Sequence, residues 1–242
     1  MTGGINRKIR CKMAEETTKK KLPRAVVVEF DFTAIDGAET LFGIASEQLL
    51  KYGIELTAKL EALHLANGNC QGAMRELFAK FGKKQDPVSA SRELMDAFRA
   101  ALTEKAVAAV TPDFKAFVNA LSAKGLKIVI ATRADLEVLK PALADFDANL
   151  VSAYSEPSQT YGNCKWDAWR RVLRANELHE MLTVAVTGSG YGVRSALVAG
   201  MPALAIVHDH VAYQDFGGAD VVATGFSANL AGEVLRMLHL ED

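Results

Sequence analysis

Apolar positions follow two different periods along the chain, and the change between them divides it. From Ala25 to Val28 they are continuous, and the run ends on Glu29-Phe30-Asp31-Phe32-Thr33. A short unbroken apolar run of this kind predicts a strand buried on both faces. From 38 to about 105 the spacing becomes helical and strand-like runs are missing. Leu41, Ile44, Ala45, Leu49 and Tyr52 share one helical face, and Gly53 is placed to stop that helix. Leu56 to Leu65, Ala73 to Phe81 and Ser89 to Ala106 predict three further amphipathic helices. Turns at Asn67-Gly68-Asn69 and Asp86-Pro87 separate them.

The remainder alternates between the two periods. Thr111-Pro112-Asp113 is a helix start, with a capping hydroxyl, a proline at the first helical position and an acid near the positive end of the dipole. Phe114, Phe117, Val118 and Leu121 form its apolar stripe, and Gly125 ends it. Strands are predicted at Lys127 to Thr132, Asn149 to Ala153, Leu182 to Thr187, Ala203 to Val207 and Val221 to Thr224. Helices fall between most of them, including Lys165 to Ala175 with Trp166, Trp169 and Leu173 on one face. The alternation predicts an α/β fold, a mostly parallel sheet flanked by helices, with ligands at the carboxyl ends of its strands. That core spans 25–37 and 107–242, and 38–106 is an inserted all-helical module.

The 242 residues are half apolar, enough for one sizeable core and a small accessory unit, and no run is long enough to span a membrane. A formal charge of −1 gives no global attraction for nucleic acid or an anionic membrane, and neither is an expected partner. Cys11, Cys70 and Cys164 are few and widely spaced, which fits a reducing, cytoplasmic setting better than a disulfide framework. Residues 1–24 differ: Arg7, Lys8, Arg10, Lys12, Lys19, Lys20, Lys21 and Arg24 face only Glu15 and Glu16. With no apolar segment after the basic residues, this stretch is expected to be a flexible basic arm rather than a secretory signal.

Candidate chemistry collects at the predicted strand ends. These positions are Glu29 with Asp31, Thr132 with Arg133, Lys165, and the turn Thr187-Gly188-Ser189-Gly190-Tyr191-Gly192-Val193. In order and spacing they resemble the four motifs of the haloacid dehalogenase superfamily. Glu29-Phe30-Asp31-Phe32-Thr33 resembles its opening D-x-D-G-T, Thr132 its strand-terminal hydroxyl, and Lys165 its lysine. Ala196-Leu197-Val198-Ala199-Gly200-Met201 resembles the segment that follows its fourth motif, and Gly218 to Val222 its closing strand. The helical insert is similar to the cap of the phosphoglycolate phosphatase and β-phosphoglucomutase branch. The resemblance implies a Rossmann-like core, a cap that selects the substrate, and phosphoryl transfer by a nucleophilic Asp with Mg²⁺.

Here the motifs are degenerate. The nucleophile position holds Glu29, whose carboxylate reaches about 1.5 Å further than that of Asp. The fourth-motif positions that carry acids in the family are Thr187, Gly188 and Gly192, so a metal-ligand Asp is replaced by Gly188. Mg²⁺ is usually held by one or two carboxylates with waters and phosphate oxygens. Its binding is therefore expected to be weak or absent, and no cofactor is firmly implied. Without the metal, an anionic carboxylate approaching an anionic phosphate is repelled. The expectation is a hydrolase-family chain of impaired or lost phosphatase activity, a pseudoenzyme. Thr132, Arg133 and Lys165 remain as donors for a phosphorylated small molecule, and a protein partner is the other expected ligand. Lys165 has a second reading, as the counterion of Glu29 or Asp31 in place of Mg²⁺. The functional alternative is an active phosphomonoester hydrolase using Glu29 or Asp31. One such register makes Asp31 the nucleophile, at the cost of putting Ile35 where the motif Thr belongs.

Other signals are weaker. Thr187 to Gly192 has the place of a dinucleotide fingerprint, but its third Gly would fall at Val193. A tight strand-to-helix bend explains the glycines better. His208-Asp209-His210 lacks a third ligand for zinc and reads as a polar loop. His64, on a cap helix, is a candidate for the cleft between cap and core.

Overall fold

The structure, a computed structural model, describes residues 22–156 and 166–240. Most of the basic arm, Cys11, Cys164 and Lys165 lie outside the described residues.

The central strand is β1 (Ala25–Glu29), with α1 (Phe30–Thr33) directly after it. The inserted helices follow: α2 (Gly37–Lys51), α3 (Ala58–Leu60), α4 (Cys70–Lys80) and α5 (Pro87–Ala106). After α6 (Pro112–Ser122) come β2 (Lys127–Thr132), α7 (Leu136–Leu139), β3 (Val151–Ser155), α8 (Trp166–Ala175) and β4 (Thr183–Thr187). The chain ends with α9 (Gly190–Val198), β5 (Ala203–Ile206), β6 (Val221–Ala223) and α10 (Ala228–Met237). The sheet order is β3-β2-β1-β4-β5-β6. Every pairing is parallel, with Glu29 beside Ala131 and Thr187 beside Ala205. All of β1 and β4 is buried, as strands covered on both faces require. Val26 and Val28 pack with Phe114, Phe117 and Val234 on one face, and Val27 with Trp169, Val172 and Val193 on the other.

Helix ends are fixed by the residues the sequence put there. Thr111 accepts a hydrogen bond from Phe114 N at 3.2 Å, and Gly125 takes φ +73° just past α6. Thr111→Ala is expected to lower stability by about 1 kcal/mol, measured by urea unfolding.

Three local features differ from the sequence expectation. The turn α1 replaces an extended exit from β1: Ala34 N and Ile35 N both donate to Phe30 O at 3.1 Å. Leu56 to Leu65 is not one regular helix. Thr57 caps α3, and the chain then widens into a π turn, Glu61–Leu65, closed by Ala66 N donating to Glu61 O. Trp166 is 46% exposed under Arg170, while Trp169 is fully buried and donates to Ser195 Oγ at 2.9 Å. The buried stripe of α8 is Ala168, Trp169, Val172 and Leu173, and Trp166 lies off its edge.

The inserted helices share an apolar cluster with the core. Phe32, at the site, stands 6.0 Å from Phe98 of α5, ring to ring, and the cluster continues through Leu41, Leu49, Met74 and Leu94.

Candidate functional site

The carboxyl ends of β1, β2 and β4 bring Glu29, Asp31, Thr132, Arg133 and Thr187 together. Each is a strand-terminal residue or falls within two residues of one, so parallel pairing of neighbouring strands is what gathers them. Glu29 is 1% exposed and Asp31 fully buried.

The polar groups of this cluster bind one another. Thr132 Oγ1 donates to Asp31 Oδ1 at 2.5 Å, and Arg133 N donates to Asp31 Oδ2 at 2.9 Å. The Arg133 guanidinium adds a third donor at 3.1 Å to the same oxygen. Thr187 Oγ1 donates to Glu29 Oε2 at 2.5 Å. Thr33, the motif hydroxyl, turns back to donate to the Glu29 carbonyl at 2.8 Å. Burial pushes the Asp31 carboxyl above its ordinary range, while Arg133 and Thr132 pull it down and do not fully offset the burial. Thr132 and Arg133, expected to offer donors to a phosphate, give them to Asp31. The counterion role that one reading gave to Lys165 is filled for Asp31 by Arg133, and Lys165 itself lies outside the described residues.

Gly188 has a further consequence. A Cβ at this position would lie 1.7 Å from the carbonyl oxygen of Phe32 and 3.0 Å from the Phe32 Cβ. The α1 turn has carried its backbone into the space that a side chain on residue 188 would need. The residues present therefore do not fit a divalent ion held in the family manner. Residue 188 carries no carboxylate, the space a side chain there would need is filled by a backbone carbonyl, and hydrogen bonds already engage both Asp31 oxygens and Glu29 Oε2.

The glycines of this turn serve close approach rather than a special bend. None of Gly188, Gly190 and Gly192 has a positive φ. A Cβ on Gly190 would meet the Asp215 carbonyl at 2.2 Å, and one on Gly192 would meet Thr187 Oγ1 at 2.0 Å. The freedom expected of them is not used.

On the Arg133 side of this cluster an open pocket of about 580 Å³ is lined by Arg99, Asp135, Ser155 and Glu156. A void of about 30 Å³ between cap and core is lined by Phe32, Ser189 and Gln214 on one side and Glu61, Leu65 and Ala66 on the other. That is room for a single water. His64 does not reach this cleft; its Nδ1 pairs with Glu76 within the cap at 2.7 Å. The His208-Asp209-His210 loop is more than a polar turn. His208 Nε2 lies 3.1 Å from the Thr33 carbonyl, and His210 Nε2 lies 2.9 Å from Glu61 Oε1 on the cap. The sequence reasoning passed over Thr187 as a partner of Glu29, Phe32 as a space filler, and Glu61. An acid inside an apolar helical stretch was the available signal for Glu61. Nothing local marked the other two.

This architecture is matched by known proteins. The sequence profile of the haloacid dehalogenase-like hydrolases matches residues 26–206, and the chain belongs to that family. No curated protein sequence matches it. Among solved structures, CbbY of Rhodobacter sphaeroides, in complex with xylulose-(1,5)bisphosphate, is 17% identical with a TM-score of 0.61, covering 86% of this chain and 96% of that one. The β-phosphoglucomutase of Clostridium difficile is 11% identical with a TM-score of 0.65, covering 90% and 100%. A hydrolase from Pseudomonas syringae is 14% identical with a TM-score of 0.59, covering 86% and 96%. At these identities the likeness is one of fold. No helix among the described residues is long and apolar enough to cross a membrane.

Proposed function

We propose that this chain is a haloacid dehalogenase-like protein whose strand-end cluster no longer transfers phosphoryl groups and serves instead as a self-paired polar core. The observation that supports this most is the Phe32 carbonyl occupying the space beside Gly188. In-line attack needs a nucleophile aligned within about 3 Å of phosphorus, and a shift of about 1 Å can cost a hundredfold. Glu29 is displaced by a methylene, hydrogen-bonded to Thr187 and shut from solvent.

The remaining role is binding, of a phosphorylated small molecule or of a protein. CbbY, a relative by fold, is solved with a bisphosphate. Here Thr132, Arg133 and Lys165 are the residues proposed to meet a phosphate, which must first displace the Asp31 carboxylate from Thr132 and Arg133. The test is hydrolysis of a phosphomonoester panel with Mg²⁺, comparing wild type with Asp31→Asn. Both are expected to stay at the blank rate. Turnover in the wild type that Asp31→Asn abolishes would establish the active-hydrolase alternative. The binding role is checked by melting temperature in millimolar phosphate and phosphosugars, and an unmoved wild-type curve removes the phospho-ligand in favour of the protein partner.

A further inference from the structure

Glu61 stands outside the strand-end cluster, on the cap side of the void. It is 6% exposed and opens the π turn Glu61–Leu65. Single π turns inside helices recur at functional sites. One of its oxygens, Oε1, is 2.9 Å from His210 Nε2. The other, Oε2, is buried and has no hydrogen-bond partner. A buried acceptor left in that state is destabilising, and more so when charged. Burial pushes the Glu61 carboxyl up, the nearby Asp36 charge adds to this, and His210 pulls it down.

The void beside it has a definite chemistry. Phe32, Ala38, Leu41, Leu65 and Val211 form apolar walls, with Ser189 and Gln214 as further polar groups. Gln214 Oε1 already accepts from Gly190 N at 2.9 Å, and Ser189 Oγ from Gly192 N at 2.9 Å. The unmet atom is a carboxylate oxygen, so an occupant must donate. Among the described residues Glu61 is the one acid lining the void, with His210 on its other oxygen and Asp36 facing His208 at 4.0 Å nearby, and a carboxylate acceptor favours a cation over a neutral donor and repels phosphate. At about 30 Å³ the occupant is the size of a water molecule.

We propose that this cap–core void binds the protonated head of a small amine, ammonium being the smallest, with Glu61 Oε2 as its acceptor. The site is independent of the strand-end cluster and of whether that cluster is active. Binding across cap and core stabilises the closed arrangement, because the void exists only when Glu61, Leu65 and Ala66 lie against Phe32 and Ser189.

The experiment is thermal unfolding of the full chain in ammonium, methylammonium, tetramethylammonium and sodium chlorides at equal ionic strength. Ammonium is expected to raise the melting temperature by about 2–4 °C over sodium. Tetramethylammonium, which has no N–H donor, is expected to match sodium. Glu61→Leu should abolish the ammonium response. Ala66→Leu, which fills the void and keeps the carboxylate, should abolish it too and decides the matter if Glu61→Leu does not fold. Coincident curves for all four salts would mean that the void holds water only. A response surviving in either folded variant would likewise overturn the proposal.

Discussion

Gly188→Ala is expected to lower folding stability by about 3 kcal/mol or more, a large effect for one methyl group. The added Cβ would sit 1.7 Å from a backbone carbonyl, that of Phe32, which no rotamer change can move aside. Relief requires the α1 turn to shift, and with it Phe32, whose ring packs against Phe98. Gly43→Ala is the internal control. It lies on the exposed face of α2 with nothing within 4 Å, and replacement there is expected to stabilise by about 0.5–1 kcal/mol. Urea denaturation of both variants measures the contrast. Equal, small effects would mean that the Phe32 carbonyl is not held against Gly188. The same clash bears on attempts to restore chemistry: Glu29→Asp with Gly188→Asp is expected to give an unstable protein without Mg²⁺-dependent hydrolysis. Restored turnover in that double variant would show that the turn yields and that only the carboxylates had been lost.

Arg133→Met is expected to cost about 3–5 kcal/mol, because it leaves Asp31 buried with its charge uncompensated. The two side chains are 1% and 0% exposed, so solvent screening does not soften the loss. Replacing both, as Asp31→Leu with Arg133→Met, is expected to recover most of it, since a buried pair exchanged for apolar groups is often near neutral. The coupling is read from a double-mutant cycle. The pair also fixes a pH dependence. The Asp31 carboxyl lies above its ordinary 3.8, so the folded state holds this proton more tightly than the unfolded chain does. The resulting stability is complete below 3.8 and is lost as pH rises through the folded value. Removing Arg133 extends that loss to higher pH, and Asp31→Asn removes it. Stability measured across acidic to neutral pH for the three proteins checks the sign. A slope unchanged in Asp31→Asn would assign it to another group.

These two sites show how far the residues alone lead. The five strands after β1 were legible to within two residues at either end, as at β3 (Val151–Ser155), because apolar period and turn residues are local properties. The parallel sheet then followed, and so did the gathering of Glu29, Asp31, Thr132 and Thr187 at one edge, since strand ends in such a sheet share a side. Glu29 and Gly188 were visible as departures from what the resemblance implies. Their spatial consequence was not. Gly188 reads in the sequence as a lost ligand, whereas in the fold it is a contact surface for Phe32. Arg133 reads as a donor for a ligand, whereas in the fold it neutralises Asp31.

What the sequence by itself determined was therefore the class of fold, the succession of elements and the residues that meet at the strand ends. Only the tertiary structure decided how those residues spend their hydrogen bonds. It also decided that Glu61 and His210, 149 positions apart, meet across cap and core. The physical reason lies in range. Helical and strand periods are set by neighbours along the chain, while donors, counterions and voids depend on ångström distances between segments that only packing brings together.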